Sequence, residues 1–131
     1  MNLTGAKTWD EAMEHHVMDA LALMPIFDGL MARITNDQDD DLDSDRTGRT
    51  LTKLIDVGSG AGFPGLILAI AFPEWEITLL DSLRKRTEFL KTAAEHAEIE
   101  NVKVLWGRAE VAKGWMDGYL SRERTSIVLQ E

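Results

Sequence analysis

The residues best suited to chemistry in this 131-residue chain lie between Asp56 and Gly65, where the sequence runs DVGSGAGFPG. Gly58, Gly60 and Gly62 remove three Cβ atoms within five residues, which permits positive φ and lets the backbone approach a bound molecule closely. Three glycines cost backbone order without an evident gain in packing, so a ligand is expected over this turn. Asp81 follows 23 residues after Gly58, at the end of the next β-prone run, where a carboxylate accepts hydrogen bonds from both ribose hydroxyls of an adenosine. A dinucleotide fingerprint GxGxxG needs glycine where this chain has Phe63. The GxGxG form, preceded by Asp56 and followed by a ribose-type acid, suits S-adenosylmethionine instead. Its cationic amino and sulfonium groups tolerate carboxylates and need no pyrophosphate cradle.

Such residues require a strand, a tight turn and a helix to hold them. Leu51 to Val57 reads as a short strand, and Phe63 to Phe72 as a helix with Pro64 near its first turn and Pro73 as its stop. Glu76 to Leu80 reads as a second strand, after which Ser82 is expected to cap a helix with Leu83, Leu90, Ala93, Ala94 and Ala97 facing inward. Asn101 to Trp106 is a third strand, Ala109 to Leu120 a weaker helix interrupted by Gly114 and Gly118, and Ser126 to Leu129 the start of a fourth strand. The alternation predicts an α/β fold of Rossmann-like type, a parallel sheet covered on both faces. Ahead of it, Thr8 and Glu11 make a capping box for an amphipathic helix. Met13, Val17, Ala20, Leu21 and Met24 form its apolar stripe, ending at Pro25.

Composition narrows the class. With 44% apolar content and no run of about 18 apolar residues, a single domain without a membrane span is expected. MNLTGAKTWDE has neither an apolar signal core nor an Arg- and Ser-rich transit pattern, so an intracellular protein is the default. Zero cysteines exclude disulfides, thiolate metal sites and cysteine nucleophiles. The net charge of -9 argues against a surface that coats nucleic acid generally, and DNA is not an expected partner. Six aspartates fall between Asn36 and Asp45, so about 36 to 50 reads as a solvated acidic insertion. It lacks the register of a calcium loop, and no metal is expected.

Taken together, NLT at 2 to 4, HHVMDA at 15 to 20, DVGSGAGFPG, TLLDSLRKRTEFL at 78 to 90 and GRAE at 107 to 110 closely resemble one family. It is the bacterial and plastid small-subunit ribosomal RNA guanine-N7 methyltransferases, also called glucose-inhibited division protein B. The resemblance runs from Asn2 to about Glu110, interrupted by the acidic insertion. It implies a Rossmann-like methyltransferase fold, S-adenosylmethionine as donor, and 16S ribosomal RNA or a ribosomal particle as partner, in the cytoplasm or a plastid. By the same resemblance, Asp56, Gly58, Gly60, Gly62 and Phe63 surround the methionine end of the cofactor, Asp81 holds the ribose, and Ala109 and Glu110 border the adenine. Arg108 falls on a basic position beside the active site, and His16 and Asp19 match a helical histidine and aspartate; Arg108 and His16 are the candidates for a catalytic role. Family members are longer at both ends, so an incomplete sheet and acceptor pocket are expected. A small-molecule methyltransferase and a catalytically incomplete cofactor-binding fragment are the alternatives.

Overall fold

A computed structural model of the protein describes residues 5–36, 52–111, 114 and 126–130. At its centre lie four parallel strands, β1 (Lys53–Val57), β2 (Glu76–Asp81), β3 (Val102–Trp106) and β4 (Ser126–Gln130), in the order β3-β2-β1-β4. Helix α4 (Gly65–Ala71) connects β1 to β2 and α5 (Arg84–His96) connects β2 to β3. Before the sheet come α1 (Trp9–Ala12), a π-helical turn (Met13–Val17), α2 (Met18–Ala22) and α3 (Met24–Asn36). The acidic insertion after Asn36 and most of the expected helix from 109 to 120 lie outside the described residues, although 109–111 are helical.

Strand and helix positions follow the sequence reading closely, while the helix ends do not. Thr8 Oγ1 accepts from the Glu11 N–H at 3.2 Å, but Glu11 Oε2 accepts from the Lys7 N–H at 2.7 Å, one residue before the cap. The helical run from Trp9 ends at Ala22 with Leu23 as its C-cap, close to the expected stop at Pro25, and Pro25 itself lies in the first turn of a new helix, α3, where its missing N–H leaves no helical bond unmade. The π-helical turn also alters the phase of the apolar stripe, so Ala20 is buried whereas Leu21 is exposed. Ser82 does not cap α5; Leu83 occupies the N-cap, and Asp81 Oδ1 accepts the Leu83 N–H at 2.8 Å. Thr87, Leu90 and Ala94 form the buried side of α5, with Leu83 and Ala97 exposed.

Topology explains how the two faces are covered. The connections from β1 to β2 and from β2 to β3 step outward in one direction, and right-handed crossovers then place both helices on the same face. Leu68 of α4 and Leu90 of α5 accordingly share one core with Leu54, Ile77 and Leu79. Ile55, Val57 and Leu80 point the other way and pack with Ala109. The chain reverses direction after β3 to reach β4 on the far side of β1, which makes the carboxyl ends of these strands a topological switch point.

A cluster of aromatic rings ties the N-terminal helices to the sheet. Phe72 and Trp75 stack at 4.1 Å, and Phe27 meets Trp75 edge-on at 5.5 Å. Asn101 closes the same corner. Its Nδ2 donates to the carbonyls of Ala69, Phe72 and Trp75 at 3.0–3.1 Å, gathering the end of α4 and the start of β2 at one amide.

Candidate functional site

The turn after β1 is held from below and open above. Gly58 and Ser59 both donate to the Leu80 carbonyl, at 2.8 and 3.2 Å, and Ser59 Oγ donates to the Asp56 carbonyl at 2.9 Å. Gly58 has φ +85°, and a Cβ added there would meet nothing within 4 Å. At Gly60, φ +54°, the nearest atom would be the Gly58 carbonyl oxygen at 3.7 Å. These glycines therefore meet a conformational need and leave a clear approach to the main chain.

Gly62 and Gly65 serve a different purpose. A Cβ on Gly62 would press on Leu66 and come within 2.9 Å of Leu90, and one on Gly65 would lie 2.6 Å from Asp56 Oδ2 and against Leu79. Gly62, itself at φ +96°, makes room for the Leu66 and Leu90 side chains of α4 and α5, and Gly65 lets α4 sit tightly on the sheet. Asp56 is fully buried beneath the turn, where its Oδ2 accepts the Gly65 N–H at 3.1 Å. Its carboxylate thus faces the positive end of α4 and not the open side of the turn.

Asp81 links the second strand to this turn. Only 3% exposed, it accepts the Gly60 N–H at Oδ2 (2.9 Å) and the Leu83 N–H at Oδ1 (2.8 Å), with Arg86 Nη1 3.6 Å from Oδ2. One carboxylate therefore sets the position of the glycine turn and the start of α5 together. Beside it opens a pocket of about 330 Å³ between the ends of β1, β2 and β3. Gly58, Ser82, Gly107, Arg108, Ala109 and Glu110 line it over a floor of Val57 and Leu80.

The structure thus brings Gly58, Arg108, Ala109 and Glu110 to one pocket, with Asp81 and Gly60 bonded to each other at its side. Asp56 and Gly62 lie underneath as supports. Phe63 stands apart from the pocket, with the ring of His16 stacked on it at 5.1 Å and 15° between planes; a cis peptide joins Phe63 to Pro64. Asp19 is exposed on α2. Ser82 and Gly107 were not among the residues expected from the sequence. Ser82 had the character of a cap, and no local pattern relates the end of β2 to that of β3. Among the described residues, no group of three or more His, Asp and Glu side chains is placed to hold a metal ion.

A parallel sheet with crossover helices, a glycine turn after its first strand and an acid closing its second define a Rossmann-like domain of nucleotide-cofactor type. Residues 42–128, about two thirds of the chain, match the family model described as GidB, rRNA small subunit methyltransferase G. The chain belongs to that family. The match extends past Glu110 into β4, beyond the motifs that suggested it.

Three curated relatives are named ribosomal RNA small subunit methyltransferase G. The one from Lachnoclostridium phytofermentans is 34% identical over 98% of this chain and 44% of its own length. That from Microcystis aeruginosa is 40% identical over 84% and 43%, and that from Pseudomonas syringae pv. syringae 33% identical over 96% and 50%. The chain spans about half the length, or less, of these relatives. Among solved structures, coclaurine N-methyltransferase bound to N-methylheliamine and SAH overlaps 45% of this chain and 17% of its own, at 19% identity and a TM-score of 0.43.

Proposed function

We propose that this chain builds the S-adenosylmethionine site of a methyltransferase acting on guanine N7 of small-subunit (16S) ribosomal RNA, as free RNA or within a ribosomal particle. The observation that carries this reading is the open turn at Gly58 and Gly60, bonded to the buried Asp81, in a chain of the GidB family. The residues fit the cofactor. The unobstructed backbone at Gly58 admits a ligand in close contact, and each Asp81 oxygen, having accepted one N–H, keeps a second lone pair for a ribose hydroxyl. Ala109 and Glu110 border the adenine in this reading, with Arg108 at the rim of the pocket. Asp56, Gly62 and Phe63 shape the turn that receives the methionine end.

When bound, the cofactor supplies an electrophilic methyl group on a sulfonium. Guanine N7 presents a lone pair and carries no proton, so transfer needs no general base. The work left to the protein is orientation, with donor and acceptor in line at near-attack distance. His16 then acts as a positioning residue through its stack on Phe63. The cytoplasm is the compartment that goes with this substrate, or the plastid in a photosynthetic eukaryote. No helix among the described residues is long and apolar enough to cross a membrane.

Calorimetric titration with S-adenosylmethionine tests the site. Binding by the parent chain is expected, with at least a roughly tenfold loss in Gly60→Val, which strains a positive φ, and in Asp81→Ala, which removes charge-assisted acceptors. Labelled methyl transfer to undermethylated small ribosomal subunits, read as N7-methylguanosine, tests the acceptor. Transfer to a metabolite in place of RNA would select a small-molecule enzyme, and binding with no transfer to either a cofactor-binding fragment. Absence of cofactor binding would remove the proposal altogether.

A further inference from the structure

At the end of β3, opposite Asp81 in the register, stands Trp106. The residue is 64% exposed, although a tryptophan gains much from burial. The ring is nevertheless held in place. Nε1 donates to the Ser82 carbonyl at 3.0 Å, and the Arg84 guanidinium carbon lies 6.0 Å from the ring centroid. Lys85 and Arg108 are exposed nearby, Lys85 next to Arg84 on α5 and Arg108 two residues beyond Trp106. Arg84 Nε also meets Glu88 Oε1 at 3.0 Å and Glu110 is exposed two residues past Arg108, so cations and carboxylates alternate along this rim.

We propose that Trp106 and Arg84 form a stacking platform for an unpaired base of single-stranded RNA, at the rim of the cofactor pocket and outside it. This rests on the reading of the protein as an RNA methyltransferase and adds to it a residue that positions the strand. An exposed aromatic ring beside a guanidinium plane is the arrangement by which proteins hold splayed RNA bases, and neighbouring cations meet the phosphates. The Ser82 bond fixes the ring before RNA arrives, so little side-chain freedom is lost on binding. Trp106 is not among the residues lining the pocket, which separates it from the cofactor's adenine.

Anisotropy titration of the whole chain with a labelled unstructured oligoribonucleotide tests the platform. Trp106→Ala is expected to weaken RNA binding about tenfold while leaving the calorimetric affinity for S-adenosylmethionine unchanged, and Trp106→Phe to retain most of the RNA affinity. Unchanged RNA binding in Trp106→Ala, or weakened cofactor binding with RNA binding intact, overturns the inference. A second measurement avoids truncating the ring: with Trp9 and Trp115 replaced by Phe, so that Trp106 and the buried Trp75 are the remaining tryptophans, RNA is expected to quench the emission of Trp106. Unaltered emission from RNA-bound protein equally overturns it. A parent chain that binds no RNA sinks this platform and the ribosomal RNA reading together. RNA binding that is indifferent to Trp106 sinks the platform alone.

Discussion

Gly58, Gly60, Gly62 and Gly65 look alike in the sequence but carry different loads. Those at 58 and 60 open the turn to a ligand, that at 62 makes room for Leu66 and Leu90, and that at 65 lets α4 approach the sheet. The distinction predicts separable phenotypes. Gly65→Ala forces a methyl group against Leu79 and within 2.6 Å of Asp56 Oδ2, disturbing the carboxylate that accepts the Gly65 N–H. A loss of about 2 kcal/mol in unfolding free energy is expected from overpacking of this kind, read as a lower urea midpoint. Gly60→Val, by contrast, should act first on cofactor affinity. A Gly65→Ala chain as stable as the parent would show that α4 can withdraw from the sheet without cost. Asp81 is similarly double: its carboxylate belongs to the site, but its hydrogen bonds to Gly60 and Leu83 also build it.

Among the elements, α4 leans on residues outside itself at both ends. It has only seven residues, too few to be stable alone. Asp56 accepts an N–H at its start, and Asn101, at the foot of β3, donates to two carbonyls at its end and a third before β2. Replacing Asn101 by Ala leaves these partly buried carbonyls without that donor, and a loss of about 2 kcal/mol is expected. Amide exchange offers a direct check: protection should fall in α4 more than in α5, and an unchanged α4 would refute the role. The element ends went unread in the sequence for the same reason. That a new helix begins at Met24, directly before Pro25, and that Leu83 and not Ser82 stands at the N-cap of α5 with its N–H on Asp81, depends on partners that local pattern does not specify.

Across the molecule, the contact of Phe27 with Phe72 and Trp75 joins the N-terminal helices to the sheet. His16 reaches the glycine turn from the same N-terminal segment, so the fit of those helices bears on the site. Phe27→Ala should lower stability by about 3 kcal/mol. It should also broaden the near-ultraviolet signal of Trp75. Should denaturation and that signal both stay as in the parent, the N-terminal helices contribute less to the domain than their packing implies.

Read alone, the amino-acid order was enough to determine the α/β class, the parallel strands, the glycine turn and its family, because hydrophobic periodicity and glycine spacing are local properties. The central strands KLIDV and EITLLD carry apolar residues toward both faces because both faces are buried, so they were readable as strands despite Asp56 and Thr78. Only the tertiary structure decided that Asp56 is a support beneath the turn, that α4 and α5 share a face, and that Trp106 stands exposed between Ser82 and Arg84. Those outcomes depend on crossover handedness and on the meeting of strand ends far apart in the chain, which no window of sequence contains.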